Sequence, residues 1–407
     1  MATKNPDKRP HLLFWGEDLA LSHVVRPLML ANSVRDNCKI TFVTGERYSQ
    51  LVESYDITPL KAWTLSNDTF MDRLSRGLDG WLDSEISRQV ADELQLIDEL
   101  SPDLVIGDLR WSLGISCELT KTPYMSLIDA YWGPYCTLSP PTPEFPFVDL
   151  LGVKLSSWLM PMLAPVIFRK LAQPFDRVRQ EHGLTPCNDY RKIAAHADWV
   201  VYPNLPVLAP TANLPSNHRY LGPLLWSMDS AYPSWWESIP EDKPLVYVTM
   251  GSTGRIGVVE KLIDTLQKLP LNVMLSTSGR VDQKHYPSNF YVNDYLPGLE
   301  ACKRSDLVIC NGGAGAVYQA IASETPVLGI PTNADQYYVI NALESQGGGL
   351  SIRSTHVNRQ NITQAVERLI AEEQFLKRIS ELNDGLVSFD AFKIFSGIVE
   401  EILSSHR

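Results

Sequence analysis

Short apolar runs alternate with amphipathic stretches from the start of the chain to about residue 204. HLLFW (11–15), KITFVTG (39–45), DLVIGD (103–108), PYMSLID (123–129) and DWVVYPN (198–204) are brief and almost uninterruptedly apolar, the pattern of strands buried on both faces. Between them RPLMLANSV, SEISRQVADELQLIDEL and SLGISCELTK carry apolar residues at helical spacing. Strand and helix in alternation predict a parallel sheet covered by helices. A second series begins near Pro244 with PLVYVTMGS, VVEKLIDTLQKL, NVMLSTSG, NFYVNDYLP, DLVICNGGAG, PVLGIPTNADQ and GLSIR, and predicts a second doubly wound sheet.

The segment LGPLLWSMDSAYPSWWESIPEDKP (221–244) has proline, tryptophan and charge but no periodicity, which suits an interdomain connector. The chain therefore divides into a first domain at 1–225, a linker at 226–243, a second domain at 244–380 and a last helix at 381–407. Residues 359–407 read as helix without strands, and either cap the second sheet or return to brace the first domain. One segment breaks the alternation. PFVDLLGVKLSSWLMPMLAPVIFRKLAQPF (146–175) is strongly apolar, interrupted by prolines and poor in charge. It reads as a pair of helices over the sheet, with an acceptor-pocket lining or a peripheral membrane contact as the functional readings.

A length of 407 residues favours two domains. The net charge of −11 gives no general attraction to nucleic acid, so no nucleic-acid partner is expected. Six cysteines at 38, 117, 136, 187, 302 and 310 form no CxxC pair, which suggests neither a zinc site nor a disulfide framework. The apolar run near the N-terminus is too short for a signal peptide, and no stretch reaches a membrane span, so a cytoplasmic location is expected.

Chemistry concentrates just after the predicted strands, at GEDLALSH (16–23), GDLRW (107–111), MGSTG (250–254), NGGAG (311–315) and TNADQ (332–336). Ligands of open α/β sheets bind there, and two such sheets suggest a cleft between them. In NGGAGAVYQ (311–319) three glycines stand where a buried strand turns into a helix. Glycine lets backbone approach a ligand closely, and the free N–H groups of a helix start attract anions, so this turn predicts a phosphate site.

The run YLPGLEACKRSDLVICNGGAGAVYQAIASETPVLGIPTNADQ (295–336) resembles the donor-binding signature of nucleotide-sugar-dependent glycosyltransferases of the GT-B fold. The likeness is to the bacterial macrolide and natural-product type, related to plant and animal glucuronosyl- and glucosyltransferases. Outside it the resemblance rests on the two-sheet layout, on MGS (250–252) and on SHVVRP (22–27). It implies two Rossmann-like α/β domains facing across a cleft, with a C-terminal helix returning to the first. It also implies a donor site. Tyr295 would stack on the nucleotide base and the Leu296 backbone would meet the base edge. Asn311, Gly312, Gly313, Ala314, Gly315 and Ala316 would face the diphosphate, with Ser252 reaching it from the other strand. Gln319 falls at the ribose, and Asp335 and Gln336 at the sugar hydroxyls. Two positions depart from the pattern: Asn311 stands where histidine is common, and Gln319 where an acidic residue is common. Both UDP and dTDP donors remain open.

Transfer needs a base near the acceptor hydroxyl. His23, in LSHVVRPLMLA, matches the family's catalytic histidine, and Asp108 matches the carboxylate paired with it, with Asp129 and Asp18 as alternative partners. The resemblance implies an inverting enzyme with no metal and no cofactor, the sugar nucleotide being a co-substrate. The acceptor would be a small hydrophobic molecule or a lipid. Trp15, Trp111, Tyr131, Trp132, Tyr135 and Trp158 are candidate stacking residues or core. A nucleotide-sugar epimerase and a non-catalytic sugar-nucleotide-binding subunit are the competing readings.

Overall fold

A computed structural model describes residues 9–75, 80–144, 146–228, 230–251, 256–279 and 285–405. The five apolar runs of the first series become β1 (His11–Gly16), β2 (Lys39–Thr44), β4 (Leu104–Asp108), β5 (Tyr124–Leu127) and β6 (Trp199–Tyr202), and two strands outside those runs, β3 (Leu60–Lys61) and β7 (His218–Tyr220), form the sheet's edges. The second becomes β8 (Leu245–Thr249), β9 (Asn272–Ser276), β10 (Phe290–Asn293), β11 (Leu307–Cys310), β12 (Val327–Gly329) and β13 (Gly349–Ser351). The sheet orders are β3-β2-β1-β4-β5-β6-β7 and β10-β9-β8-β11-β12-β13, with every pairing parallel. Each sheet reverses its winding once, between β1 and β4 in the first and between β8 and β11 in the second. Those two crevices are where an open α/β sheet takes its ligands.

Helix α1 (Leu21–Val34) follows β1 and lays Val24, Leu28 and Ala31 against Leu12, Phe14 and Phe42. Gly16 permits the approach, since a Cβ there would stand 2.9 Å from the His23 carbonyl and 3.0 Å from the Val24 Cα. The apolar segment forms the expected pair of helices, a short one at Pro146–Leu151 and the long α2 (Val153–Glu181), parted at Gly152. The long helix runs unbroken through Pro161, Pro165 and Pro174, where the sequence predicts interruption. Its first half meets the body through one stripe, Ser156, Met160, Ala164 and Phe168, at four-residue intervals. The opposite ridge, Leu155, Trp158, Met162 and Val166, stands in solvent, with Trp158, Met162 and Val166 each 69% exposed.

In the second domain α3 (Ala314–Ala322) follows β11 and α4 (Ala334–Ser345) follows β12. The helical tail serves both domains. Helix α5 (Arg359–Ala371) buries Ile362, Val366 and Leu369 in the second domain's core, and α6 (Glu373–Val387) packs along α3. Helix α7 (Ala391–Ser405) crosses back to the first domain, where Phe395 meets Phe14 with ring centroids 6.2 Å apart.

Candidate active site

The crevice of the first sheet holds the predicted base and its partner. Asp108 ends β4, in register with Gly16 of β1, and His23 stands in the first turn of α1. His23 Nδ1 lies 2.8 Å from Asp108 Oδ1. A carboxylate offers only an acceptor, so this contact selects the tautomer with hydrogen on Nδ1 and a lone pair on Nε2. Asp108 is 1% exposed at its side chain and His23 21%, so the pair is buried behind and open in front.

Sequence reasoning leaves out the residue that organises this crevice. Arg26, one turn beyond His23, forks onto Asp108 through Nε to Oδ2 and Nη2 to Oδ1, each at 2.8 Å. Its Nη1 donates to Asp129 Oδ2 at 2.7 Å, and Nη2 lies 3.1 Å from His23 Nδ1. The i,i+3 spacing of His23 and Arg26 on a helix was the available signal. Burial pushes the Asp129 carboxyl up, but Arg26 and the Asn204 amide outweigh it and hold it below the carboxylate range. Asp129 is thus tied to Arg26, not to His23. Arg110, two residues after Asp108, turns away from it and binds Glu17 at 2.9 Å and Glu93 at 2.6 Å inside the core. Leu109 between them adopts φ +57, a conformation rare for leucine, at the turn that separates the two charged side chains. Asp18 accepts from the Arg47 backbone at 3.0 Å.

The crevice of the second sheet holds the glycine-rich turn. Gly312, at φ +78, is the backbone reversal that only glycine makes easily, and Ile340 would crowd a Cβ there at 3.1 Å. Its N–H donates to Cys310 Sγ at 3.3 Å, and that of Gly313 donates to Asn311 Oδ1 at 3.0 Å. Two of the predicted phosphate donors are therefore engaged within the turn. The N–H groups of Ala314, Gly315 and Ala316, in the first turn of α3, have no carbonyl within their own helix to bind. A Cβ on Gly315 would meet nothing within 4 Å.

The remaining predicted donor residues separate. Tyr295 is 48% exposed and Leu296 buried at 6%. Gln319 donates to the Trp226 carbonyl of the connector at 2.5 Å. Gln336 is buried, its Oε1 accepting from the Thr332 N–H at 2.8 Å and closing the turn before α4. Ser252 lies outside the described residues. Asp335 faces the first domain, where the Tyr131 hydroxyl donates to its Oδ1 at 2.9 Å and Trp132 Nε1 at 3.2 Å. Tyr338 stacks on Tyr131, centroids 5.2 Å apart. Burial and the charge of Asp129 raise the Asp335 carboxyl. Of the other candidate stacking residues, Trp15 and Trp111 are core and Trp158 is on the outer ridge of α2. Among the described residues no group of three or more His, Cys, Asp or Glu is placed to hold a metal ion, and no helix is long and apolar enough to cross a membrane.

Two parallel-sheet α/β domains meeting at their crevices match the GT-B architecture. The Glycosyltransferase family 28 C-terminal domain matches residues 245–389. A PGL/p-HBAD biosynthesis glycosyltransferase of Mycobacterium tuberculosis is 35% identical over 370 residues, covering 90% of this chain and 86% of the relative. A PGL/p-HBAD biosynthesis rhamnosyltransferase of Mycobacterium bovis is 35% identical over 379 residues, covering 93% and 84%. The solved spinosyn rhamnosyltransferase complexed with thymidine diphosphate superposes with a TM-score of 0.69 at 15% identity, covering 96% of this chain and 99% of that one. The chain belongs to the glycosyltransferase family of these mycobacterial relatives.

Proposed function

We propose that the protein is an inverting, metal-independent glycosyltransferase that moves a 6-deoxyhexose from a dTDP-sugar to a hydroxyl of a hydrophobic acceptor. The observation that carries this reading is the 2.8 Å contact of His23 Nδ1 with Asp108, which leaves Nε2 as a lone pair at the open side of the crevice. There Nε2 takes the proton as the acceptor oxygen attacks the anomeric carbon, and Asp108 supports the imidazolium that forms. The diphosphate leaves from the opposite face of that carbon, so the configuration inverts. The N–H groups of Ala314, Gly315 and Ala316 and the start of α3 meet its growing charge. Asp335 accepts from a sugar hydroxyl, and Tyr295 lies over the base. The deoxysugar and the thymidine nucleotide are favoured by the relative named a rhamnosyltransferase and by the thymidine diphosphate in the spinosyn enzyme. UDP-hexoses are the competing donors.

The acceptor reading divides between a free small molecule and a lipid met at a membrane. The bare ridge of α2, bordered by Lys154, Arg169 and Lys170, favours the lipid. The direct test is turnover of dTDP-6-deoxyhexose and UDP-hexose panels by wild type and His23→Ala, with the product anomer read by NMR. His23→Ala should bind nucleotide normally and lose nearly all transfer. Full activity in that variant, or a product of retained configuration, overturns the mechanism.

A further inference from the structure

We propose that the outer face of α2 is a docking surface for the headgroup region of an anionic lipid bilayer. The inference rests on the lipid-acceptor reading for its purpose, and names the surface at which such an acceptor is reached. Leu155, Trp158, Met162 and Val166 recur at three- and four-residue spacing and form one exposed ridge, about 16 Å long at the rise of an α-helix. Leu150 and Leu151, both exposed, carry the apolar run back across Gly152. The mount is firm, because the second half of α2 sinks Ala172, Phe175 and Val178 into the core. There Phe175 meets Trp81 and Trp111 with ring centroids 6.4 and 6.2 Å apart.

An apolar face of this kind in water marks a partner protein or a membrane, and its charge selects the membrane. Residues 150–175 hold no Asp or Glu and three cations, Lys154, Arg169 and Lys170, all exposed, in a chain whose net charge is −11. No ion pair engages these three among the described residues, whereas Arg177 and Arg179 further along the helix are paired with Asp83 and Glu118. On an α-helix Lys154 and Lys170 fall roughly 80° to either side of the ridge, and Arg169 lies in line beyond Val166. The cations therefore meet headgroup phosphates as the apolar side chains enter the acyl boundary, where tryptophan is the favoured residue. A second copy of the chain seated on this face would instead set like charges against like. The prolines fix the depth. Pro161 and Pro165 are exposed and deprive the Ser157 and Pro161 carbonyls of their helical N–H partners. Those carbonyls find water among headgroups and none in hydrocarbon, so the helix lies in the interface.

The test is co-sedimentation of the full chain with phosphatidylcholine vesicles and with vesicles of equal parts phosphatidylcholine and phosphatidylglycerol, without donor or acceptor. Wild type should bind the anionic vesicles and leave them as salt is added. Lys154→Ala with Lys170→Ala removes two cations, each contributing roughly 5-fold at an anionic surface, so the partition coefficient should fall about 30-fold. Met162→Glu with Val166→Glu should abolish binding while the urea melt stays near wild type, since both side chains already stand in water. Brominated lipid should quench the fluorescence of wild type more than that of Trp158→Phe. Equal quenching of the two places another face on the bilayer and overturns the proposal. So does wild type that stays in the supernatant with anionic vesicles, binding that survives Met162→Glu with Val166→Glu, or a concentration-dependent dimer which that pair dissolves. The lipid-acceptor reading fails separately: protein that binds vesicles yet glycosylates only water-soluble acceptors keeps the docking surface and loses the lipid acceptor.

Discussion

Tyr131 and Asp335 are joined across the cleft by a 2.9 Å hydrogen bond from the phenol to Oδ1, and Trp132 adds a second to the same oxygen. Both donors come from the first domain and the acceptor from the second, so the carboxylate proposed to hold the sugar is oriented by the opposite half of the molecule. Both bonds fall on Oδ1, leaving Oδ2 for a sugar hydroxyl. In Tyr131→Phe the loss of one such bond, about 0.5–1.5 kcal/mol, should weaken sugar-nucleotide binding about 2- to 10-fold. Affinity for the bare nucleoside diphosphate should be unchanged. Calorimetry with both ligands checks this, and equal loss for both would remove Asp335 from the sugar site.

Gly315 separates ligand space from protein space. Nothing stands within 4 Å of a Cβ there, and helix propensity favours leucine over glycine by roughly 0.8 kcal/mol, so Gly315→Leu should fold with an unchanged or raised Tm. It should abolish the thermal shift given by dTDP or UDP, because the side chain fills the volume proposed for the diphosphate. Gly312→Ala should do the reverse. Its φ of +78 and the nearby Ile340 should cost about 1–2 kcal/mol of stability, visible as a lower urea midpoint without ligand.

Stability should depend on pH through Glu17. Burial lifts its carboxyl from the ordinary 4.5 to about 7, more than Arg110 offsets, and its Oε1 has no hydrogen-bond partner among the described residues. Below about 4.5 both folded and unfolded chains hold the proton. Between there and about 7 the folded protein keeps a proton that the unfolded chain has lost, so stability falls as pH rises and then levels off. Glu17→Gln lacks this decline, so its stability relative to wild type should improve by up to a few kcal/mol between pH 4.5 and 7. Urea melts of both proteins at pH 5 and 7.5 measure the difference, and parallel curves would contradict it.

The ridge of α2 should be dispensable for folding and necessary at a membrane. Trp158→Ser with Met162→Ser removes two side chains, each 69% exposed, so stability should change by about 0.5 kcal/mol or less. Co-sedimentation with vesicles containing anionic lipid should drop sharply, while transfer to a water-soluble acceptor should be kept. Loss of the soluble reaction would place the ridge at the acceptor pocket instead.

The sheets were legible because parallel strands buried on both faces must be continuous apolar runs, as in DLVIC before Asn311. The two-residue β3 and the half-buried β7 carry no such run and escape that pattern. In α2, apolar residues face both the body and solvent, so periodicity hid which side was inward. His23 and Asp108 were legible through the family motif, and their pairing depends on the β1–β4 adjacency. Arg26 was harder, since an arginine on a helix is usually solvated. Its burial follows from two carboxylates delivered by strands more than 80 residues away. Gln336 and Gln319 matched the motif in position, yet their side chains bind the turn before α4 and the connector.

Helix α7 makes the covalent path cross between the domains twice, once through the connector and once after Val387, so the halves are strapped at two points. The first domain is therefore discontinuous in sequence. Cut after residue 225, it would lose Phe395, Ile398 and Ile402 from a core shared with Leu12 and Phe14, leaving an apolar face in water. Chimaeras that exchange donor halves between relatives should accordingly leave the last helix with the acceptor half to which it belongs.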